Sequence, residues 1–96
     1  DAQLYVPRIK VAAAADPYSF AVQVSRRSFH GFRVYYKRAS AHGWEGDLLF
    51  GYSPATITVA PAAPGKPEML EVRVRMAMNN TAVSMPSNIH TVAVVP

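Results

Sequence analysis

Residues Glu68 to Val95, EMLEVRVRMAMNNTAVSMPSNIHTVAVV, alternate between apolar and polar side chains, break at Asn79-Asn80-Thr81, and then alternate again. Successive side chains of a β-strand point to opposite faces of the sheet, so this period of two predicts half-buried strands. A helix over Met69 to Ala82 would instead scatter the valines and arginines around its whole surface. The pattern therefore predicts two antiparallel strands joined at the asparagines, which tolerate the left-handed backbone of a tight turn.

Shorter alternating segments precede this stretch, and turn-forming residues separate them. We predict seven strands, at 8–13, 19–27, 32–37, 47–51, 55–60, 70–78 and 87–95. Asp16-Pro17 marks a turn, Ser40 to Gly46 a loop that contains Trp44, and the three prolines of Pro61 to Pro67 a crossing loop. Short strands at this spacing, with no helix of ordinary length, predict an all-β fold, an antiparallel β-sandwich of about seven strands. A small closed barrel stays open as an alternative, because alternation alone does not separate the two.

The length of 96 residues suits a single domain. We assign residues 1–6 to a leader or linker and residues 7–96 to one domain. Half of the residues are apolar and 17% are charged, which is typical of a folded domain rather than a disordered tail. The longest apolar run, Val11 to Ala15, is far shorter than the roughly 18 to 20 residues of a membrane-spanning helix. The first residues lack the features of a signal peptide, and the first residue is not an initiator methionine. We therefore expect a fragment of a longer protein.

Two segments of the sequence resemble fibronectin type III domains. LEVRVRMAMNNTAVSMPSNIHTVAVV is similar to the last two strands of that family, where a polar hairpin leads to a small-Pro-Ser motif, here Ser84-Met85-Pro86-Ser87. SFAVQVSRRSFHGFRVYYKRAS is similar to its second and third strands. The resemblance runs from about Pro7 to Val95. It implies a divergent, immunoglobulin-like sandwich of the kind that bacteria carry, in which the third and sixth strands are neighbours.

The sequence departs from this family at two positions. Members usually place a core tryptophan at the end of the second strand and a tyrosine early in the sixth, and the matching residues here are Arg26 and Leu70. We therefore expect Trp44 or Phe29 to close the core instead.

No motif in the sequence is typical of an enzyme. The three histidines, His30, His42 and His90, are too far apart for the short spacers of metal sites. The serines and glycines form neither a nucleophile elbow nor a phosphate loop, and the absence of cysteine removes disulfides and thiol chemistry. The close acids Glu45 and Asp47 lack a neighbouring base and offer calcium too few oxygens. We predict no catalytic residues, no cofactor and no bound metal.

The basic residues are the feature that could form a surface. If the third and sixth strands are neighbours, as the resemblance implies, their outward side chains share one face: Arg33, Tyr35, Lys37, Glu71, Arg73 and Arg75. Arginine binds carboxylates and phosphates in a fork, and Tyr35 can stack on a sugar or base. We predict a binding surface made of Arg33, Tyr35, Lys37, Arg73, Arg75 and Trp44. The alternative is an ordinary solvated face, in which Glu71 pairs with Lys37 or an arginine.

Two functions fit these predictions. The first is a noncatalytic structural or spacer module of a larger modular protein, whose partners are the other domains of the parent chain. The second is a binding module that holds an acidic protein, glycan or other polyanion, consistent with the net charge of +4. We expect neither specific nucleic-acid binding nor membrane insertion. The compartment stays open, with a secreted or cell-envelope location favoured over the cytoplasm.

Overall fold

The structure is a computed structural model that describes residues 2–96, and nearly all of its regular secondary structure is β-strand. A 3-10 turn at Ala2–Leu4 precedes eight strands: β1 Ile9–Ala13, β2 Ser19–Val24, β3 Gly31–Arg38, β4 Gly46–Phe50, β5 Ala55–Thr58, β6 Glu68–Met78, β7 Thr81–Ala82 and β8 His90–Val94. Asp1, the first residue of the predicted leader, lies outside the described residues.

The strands form two antiparallel sheets packed face to face. The first sheet has the order β1-β2-β5, and the second has the order β4-β3-β6, with β7 and β8 both pairing with β6. The side chains between the sheets alternate along each strand with outward ones, and the most buried are Phe20, Val22, Phe32, Val34, Leu70, Val72, Val74, Met76 and Val94. Burying one such side chain stabilises the fold by about 1.5–3 kcal/mol. The prediction of an all-β sandwich is confirmed, and the two sheets are separate rather than closed into a barrel.

The hairpin at the asparagines is confirmed, but the last strand is shorter than predicted. Asn79 has a φ of +56°, and the chain turns there into the two-residue strand β7, which the sequence did not predict. Strand β8 then begins at His90 rather than Ser87. Pro86 has no N–H to donate to a ladder, and the segment between β7 and β8 instead meets β6 through the hydroxyls of Ser84 and Ser87.

The crossing loop between β5 and β6 is fastened to the body at both ends. The hydroxyl of Tyr18 donates to the carbonyl of Lys66 at 2.9 Å and accepts from the N–H of Gly65 at 2.9 Å. Arg38 donates from Nε to Glu68 at 2.9 Å and also bonds to the carbonyl of Ala60. The loop therefore has a defined path although its prolines keep it out of the sheets.

Phe29, and not Trp44, closes the core. The ring of Phe29 packs against the core and lies 5.5 Å from the ring of Tyr5. Trp44 lies outside the core, because the connection between β3 and β4 folds over the outer face of the second sheet, where Trp44 contacts charged side chains. Arg26, which the sequence resemblance aligns with a core tryptophan, is exposed and donates to the carbonyls of His30 and Gly51.

Candidate functional site

The pairing of β3 with β6 brings the predicted surface residues together. Arg33 lies opposite Arg75, Tyr35 opposite Arg73 and Lys37 opposite Glu71. The valines between them in sequence are fully buried, so these six side chains lie on the outer face of the second sheet. The expected neighbourhood of the third and sixth strands is thus confirmed. We call the set Arg33, Tyr35, Lys37, Arg73, Arg75 and Trp44 the basic face.

Trp44 reaches this face from the connection between β3 and β4. Its ring centroid lies 4.4 Å from the guanidinium carbon of Arg73 and 5.9 Å from Nζ of Lys37. The guanidinium carbon of Arg73 is also 5.9 Å from the ring of Tyr35. A cation over an aromatic face contributes about 0.5–1 kcal/mol at exposed sites. Arg73 is therefore held by contact with two rings rather than by an ion pair.

Two of the four cations have carboxylate partners. Arg33 bonds to Asp47 at 3.0 Å through Nη1, and its other nitrogens donate to the carbonyl of Asn80. Lys37 pairs with Glu71 at 3.0 Å, one of the pairings expected of an ordinary solvated face, and donates to the carbonyl of Ala41 at 2.9 Å. Such partly exposed pairs stabilise by about 0–1 kcal/mol, but they neutralise the charge locally.

The other two cations, Arg73 and Arg75, have no carboxylate partner within residues 2–96. Nε of Arg75 donates to the carbonyl of Ser84 at 2.8 Å, which orients its side chain. Nε of Arg73 is buried and has no hydrogen-bond partner in the described part of the chain. A buried donor without an acceptor costs about 1–3 kcal/mol. Four cations against two carboxylates leave two positive charges on the basic face, and these two arginines carry them.

Asp47 and Asn80 belong to this arrangement, although the sequence did not single them out for it. In the sequence, Asp47 begins a predicted strand, and Asn80 is half of a predicted hairpin turn. Their contact with Arg33 depends on the register of β4 on β3, which places Asp47 opposite Tyr35, and on the tip of the β6–β7 hairpin. No local signal in the sequence encodes that register.

The remaining polar side chains do not gather into a second candidate site. Across residues 2–96, no three histidine or acidic side chains come close enough to hold a metal ion. That same part of the chain contains no helix with the length and apolar character needed to cross a membrane. Glu45 and Glu68 both contact Arg38, where they fasten loops.

Comparison with known proteins reveals a shared fold. No family model and no curated protein matches this sequence. The structure is similar to part of the crystal structure of a family 76 glycoside hydrolase from a bovine Bacteroides thetaiotaomicron strain, with a TM-score of 0.68 and 11% sequence identity. The likeness covers 95% of this chain and 21% of that chain. At this identity the likeness shows the fold alone, and this chain spans about a fifth of the length of that enzyme's chain.

Proposed function

We propose that this chain is a noncatalytic structural module that acts as a spacer in a larger modular protein. The observation that carries the proposal is that the first and last described segments lie at opposite ends of the sandwich. Tyr5 packs on Phe29, whose neighbour His30 donates its backbone N–H to the carbonyl of Ala77 near the end of β6. Val94 pairs with Glu68, the first residue of β6.

The separation between these ends runs along the long dimension of the domain. The eleven residues of β6 extend over about 34 Å at the usual rise of a strand. The whole molecule measures 43 × 27 × 19 Å, so its long dimension exceeds the next by 16 Å, the difference between 43 and 27. Domains attached at the two ends would be held apart by this length.

The connections of the domain also suit a spacer. Tyr18 fastens the crossing loop through Gly65 and Lys66, and Arg26 fastens the connections at the other end through two carbonyls. A spacer holds a distance only if its strands cannot shift against its connections, and these bonds oppose such a shift.

Two further observations support a modular, fibronectin type III-like origin. The strand order, with the third strand beside the sixth and the last strand also on the sixth, is consistent with the resemblance in the sequence. The similar structure is from a bacterium, and the matching fold is only one part of that glycoside hydrolase chain. Both fit a divergent, immunoglobulin-like module whose partners are the other domains of its parent chain.

A distance measurement tests the spacer geometry. The chain has no cysteine, so Leu4→Cys with Val95→Cys places two spin labels at exposed residues near the two ends. We expect a single narrow distance distribution near the 43 Å long dimension. Leu4→Cys with Ile89→Cys is the matched control, because exposed Ile89 lies beside the middle of the molecule and its distance must be shorter. A broad distribution for the first pair, or equal distances for both pairs, would contradict the proposal.

A second candidate function is a binding module for an acidic protein, glycan or other polyanion, and one observation favours it. Arg73 and Arg75 carry charges that no carboxylate of the described chain neutralises. Retention on immobilised heparin tests this function. The test variant is Arg73→Gln/Arg75→Gln. The control is Arg8→Gln/Lys10→Gln, which removes the same charge from exposed residues at the start of the other sheet. We expect earlier elution in salt for the first variant alone. Equal elution of both variants would show attraction by net charge and no defined site.

A further inference from the structure

We propose that Arg73 and Arg75 form a site for an extended peptide segment that presents two carboxylates at alternate positions. This inference rests on the second candidate function and names its partner. It follows from the orientation of the two guanidinium groups, their spacing along β6, and the charges beside them.

The Arg73 guanidinium is oriented before any ligand arrives. The Trp44 ring lies 4.4 Å from the guanidinium carbon, and the Tyr35 ring lies 5.9 Å from it. None of its three nitrogens donates a hydrogen bond to residues 2–96. Nε is the one of the three that is also buried. The terminal nitrogens therefore remain open to an acceptor from outside the chain. A guanidinium held in this way loses less side-chain entropy when it binds a carboxylate in a fork.

The Arg75 guanidinium is the second half of the site. Its Nε donates to the carbonyl of Ser84 at 2.8 Å, so this side chain is also oriented while its terminal nitrogens lack a carboxylate. Arg73 and Arg75 are two residues apart on one strand, and their Cα atoms are about 6.8 Å apart at the usual strand rise.

This spacing matches the repeat of an extended peptide. Side chains on one face of an extended chain also recur every two residues, at about 6.8 Å. Acidic residues at positions i and i+2 can therefore meet both guanidinium groups at once, each through a bidentate, charge-assisted contact.

The charges beside the two arginines favour a segment with only two acids over a long polyanion. Glu71 precedes Arg73 on the same outward row of β6, and Asp47 lies opposite Tyr35 on β4. Asp47 already pairs with Arg33 and Glu71 with Lys37, so beyond Arg73 and Arg75 this face offers a long polyanion no unpaired cation. A peptide with two acids flanked by uncharged residues matches the two unpaired charges.

Trp44 makes the site directly observable. It is the only tryptophan of the chain and contacts Arg73, so its fluorescence reports on binding. The probes are two blocked peptides of one composition, TVEVEVT with alternate glutamates and TVVEEVT with adjacent ones. We expect a saturable fluorescence change with the first peptide and at least roughly tenfold weaker binding of the second, which cannot reach both arginines together.

Variants connect the signal with the two arginines. Arg73→Gln and Arg75→Gln should each weaken binding of the alternating peptide by about tenfold or more. Arg75→Lys keeps the charge but loses the fork, so it should also weaken binding, whereas Arg8→Gln/Lys10→Gln should leave it unchanged. Arg75→Lys keeps the test decisive if Arg73→Gln does not fold.

Equal binding of the two peptides, or binding that survives all changes at Arg73 and Arg75, would overturn the proposal. Heparin retention that depends on these arginines, without peptide selectivity, would overturn this inference and leave the second candidate function standing. If neither heparin retention nor peptide binding depends on these arginines, this inference and the second candidate function are both refuted. The spacer function is unaffected, because the distance measurement tests it independently.

Discussion

Ser84 and Ser87 hydrogen-bond to the backbone of β6 where no strand pairs with it on that side. Strand β8 covers residues 68–72 of β6 and β7 covers residues 77 and 78. Between them, the N–H of Met76 donates to Oγ of Ser84 at 2.8 Å, and the N–H of Val74 donates to Oγ of Ser87 at 2.9 Å. Buried backbone groups need such partners, and both serines are buried. Two hydroxyls thus replace the missing part of a ladder.

Removing one hydroxyl should destabilise the domain. Ser87→Ala leaves the N–H of Val74 buried without its acceptor, and we expect the free energy of unfolding to fall by about 1–3 kcal/mol. Urea denaturation measures this change. Ser25→Ala, at an exposed serine, is the control and should stay within about 0.5 kcal/mol of the unmodified chain. Equal midpoints for the two variants would show that the hydroxyl of Ser87 is dispensable.

Single residues differed in how well their roles could be predicted. The turn at Asn79 was predictable, because asparagine tolerates the left-handed backbone that is observed there. The roles of Ser84 and Ser87 were not, since they depend on a gap between two strands on the same edge of β6. Trp44 was wrongly considered for the core because its size suggests burial, whereas cations on the outer face contact its ring.

Strand β6 is the element that organises the second sheet. Its alternation predicts the inward residues Leu70, Val72, Val74, Met76 and Met78; the first four are buried, and Met78 is only partly buried. The same alternation puts Ala77 on the outward row, yet it is fully buried. It lies between Gly31 of β3 and Ala82 of β7 in the sheet. Alternation therefore predicts which residues face the core better than it predicts how buried each outward residue is.

Strand β3 needs glycine where it begins. A Cβ on Gly31 would lie 2.4 Å from the carbonyl oxygen of Phe50. Because this oxygen belongs to the backbone of β4, the clash is relieved only if β4 moves. We expect Gly31→Ala to lower the free energy of unfolding by about 1–3 kcal/mol, measured by chemical denaturation. Gly43→Ala is the matched control, since its Cβ would meet nothing within 4 Å and its stability should barely change. An equally stable Gly31→Ala would mean that β4 moves away at little cost.

At the scale of the molecule, the two-sheet architecture was predictable because strand spacing and alternation suffice to select it. The candidate site was predictable only in part. Five residues of the basic face lie together because β3 and β6 are neighbours, as the resemblance implied, whereas Trp44 joins them from the connection between β3 and β4. Which cations remain without a carboxylate was not predictable, because Asp47 reaches Arg33 only through the register of β4.

The start of β1 and the end of β8 lie at opposite ends of the sandwich, and this placement has a mechanical consequence. Strand β1 begins at the Tyr5 end and β8 ends beside Tyr18, so tension applied through the two ends pulls both strands along their own length. Antiparallel hydrogen bonds run perpendicular to the strands. The β1–β2 and β6–β8 ladders, of five residue pairs each, would therefore be loaded in shear. All the hydrogen bonds of a ladder would bear the load at once, instead of breaking one after another. The arrangement that sets a distance at rest would also resist stretching under load.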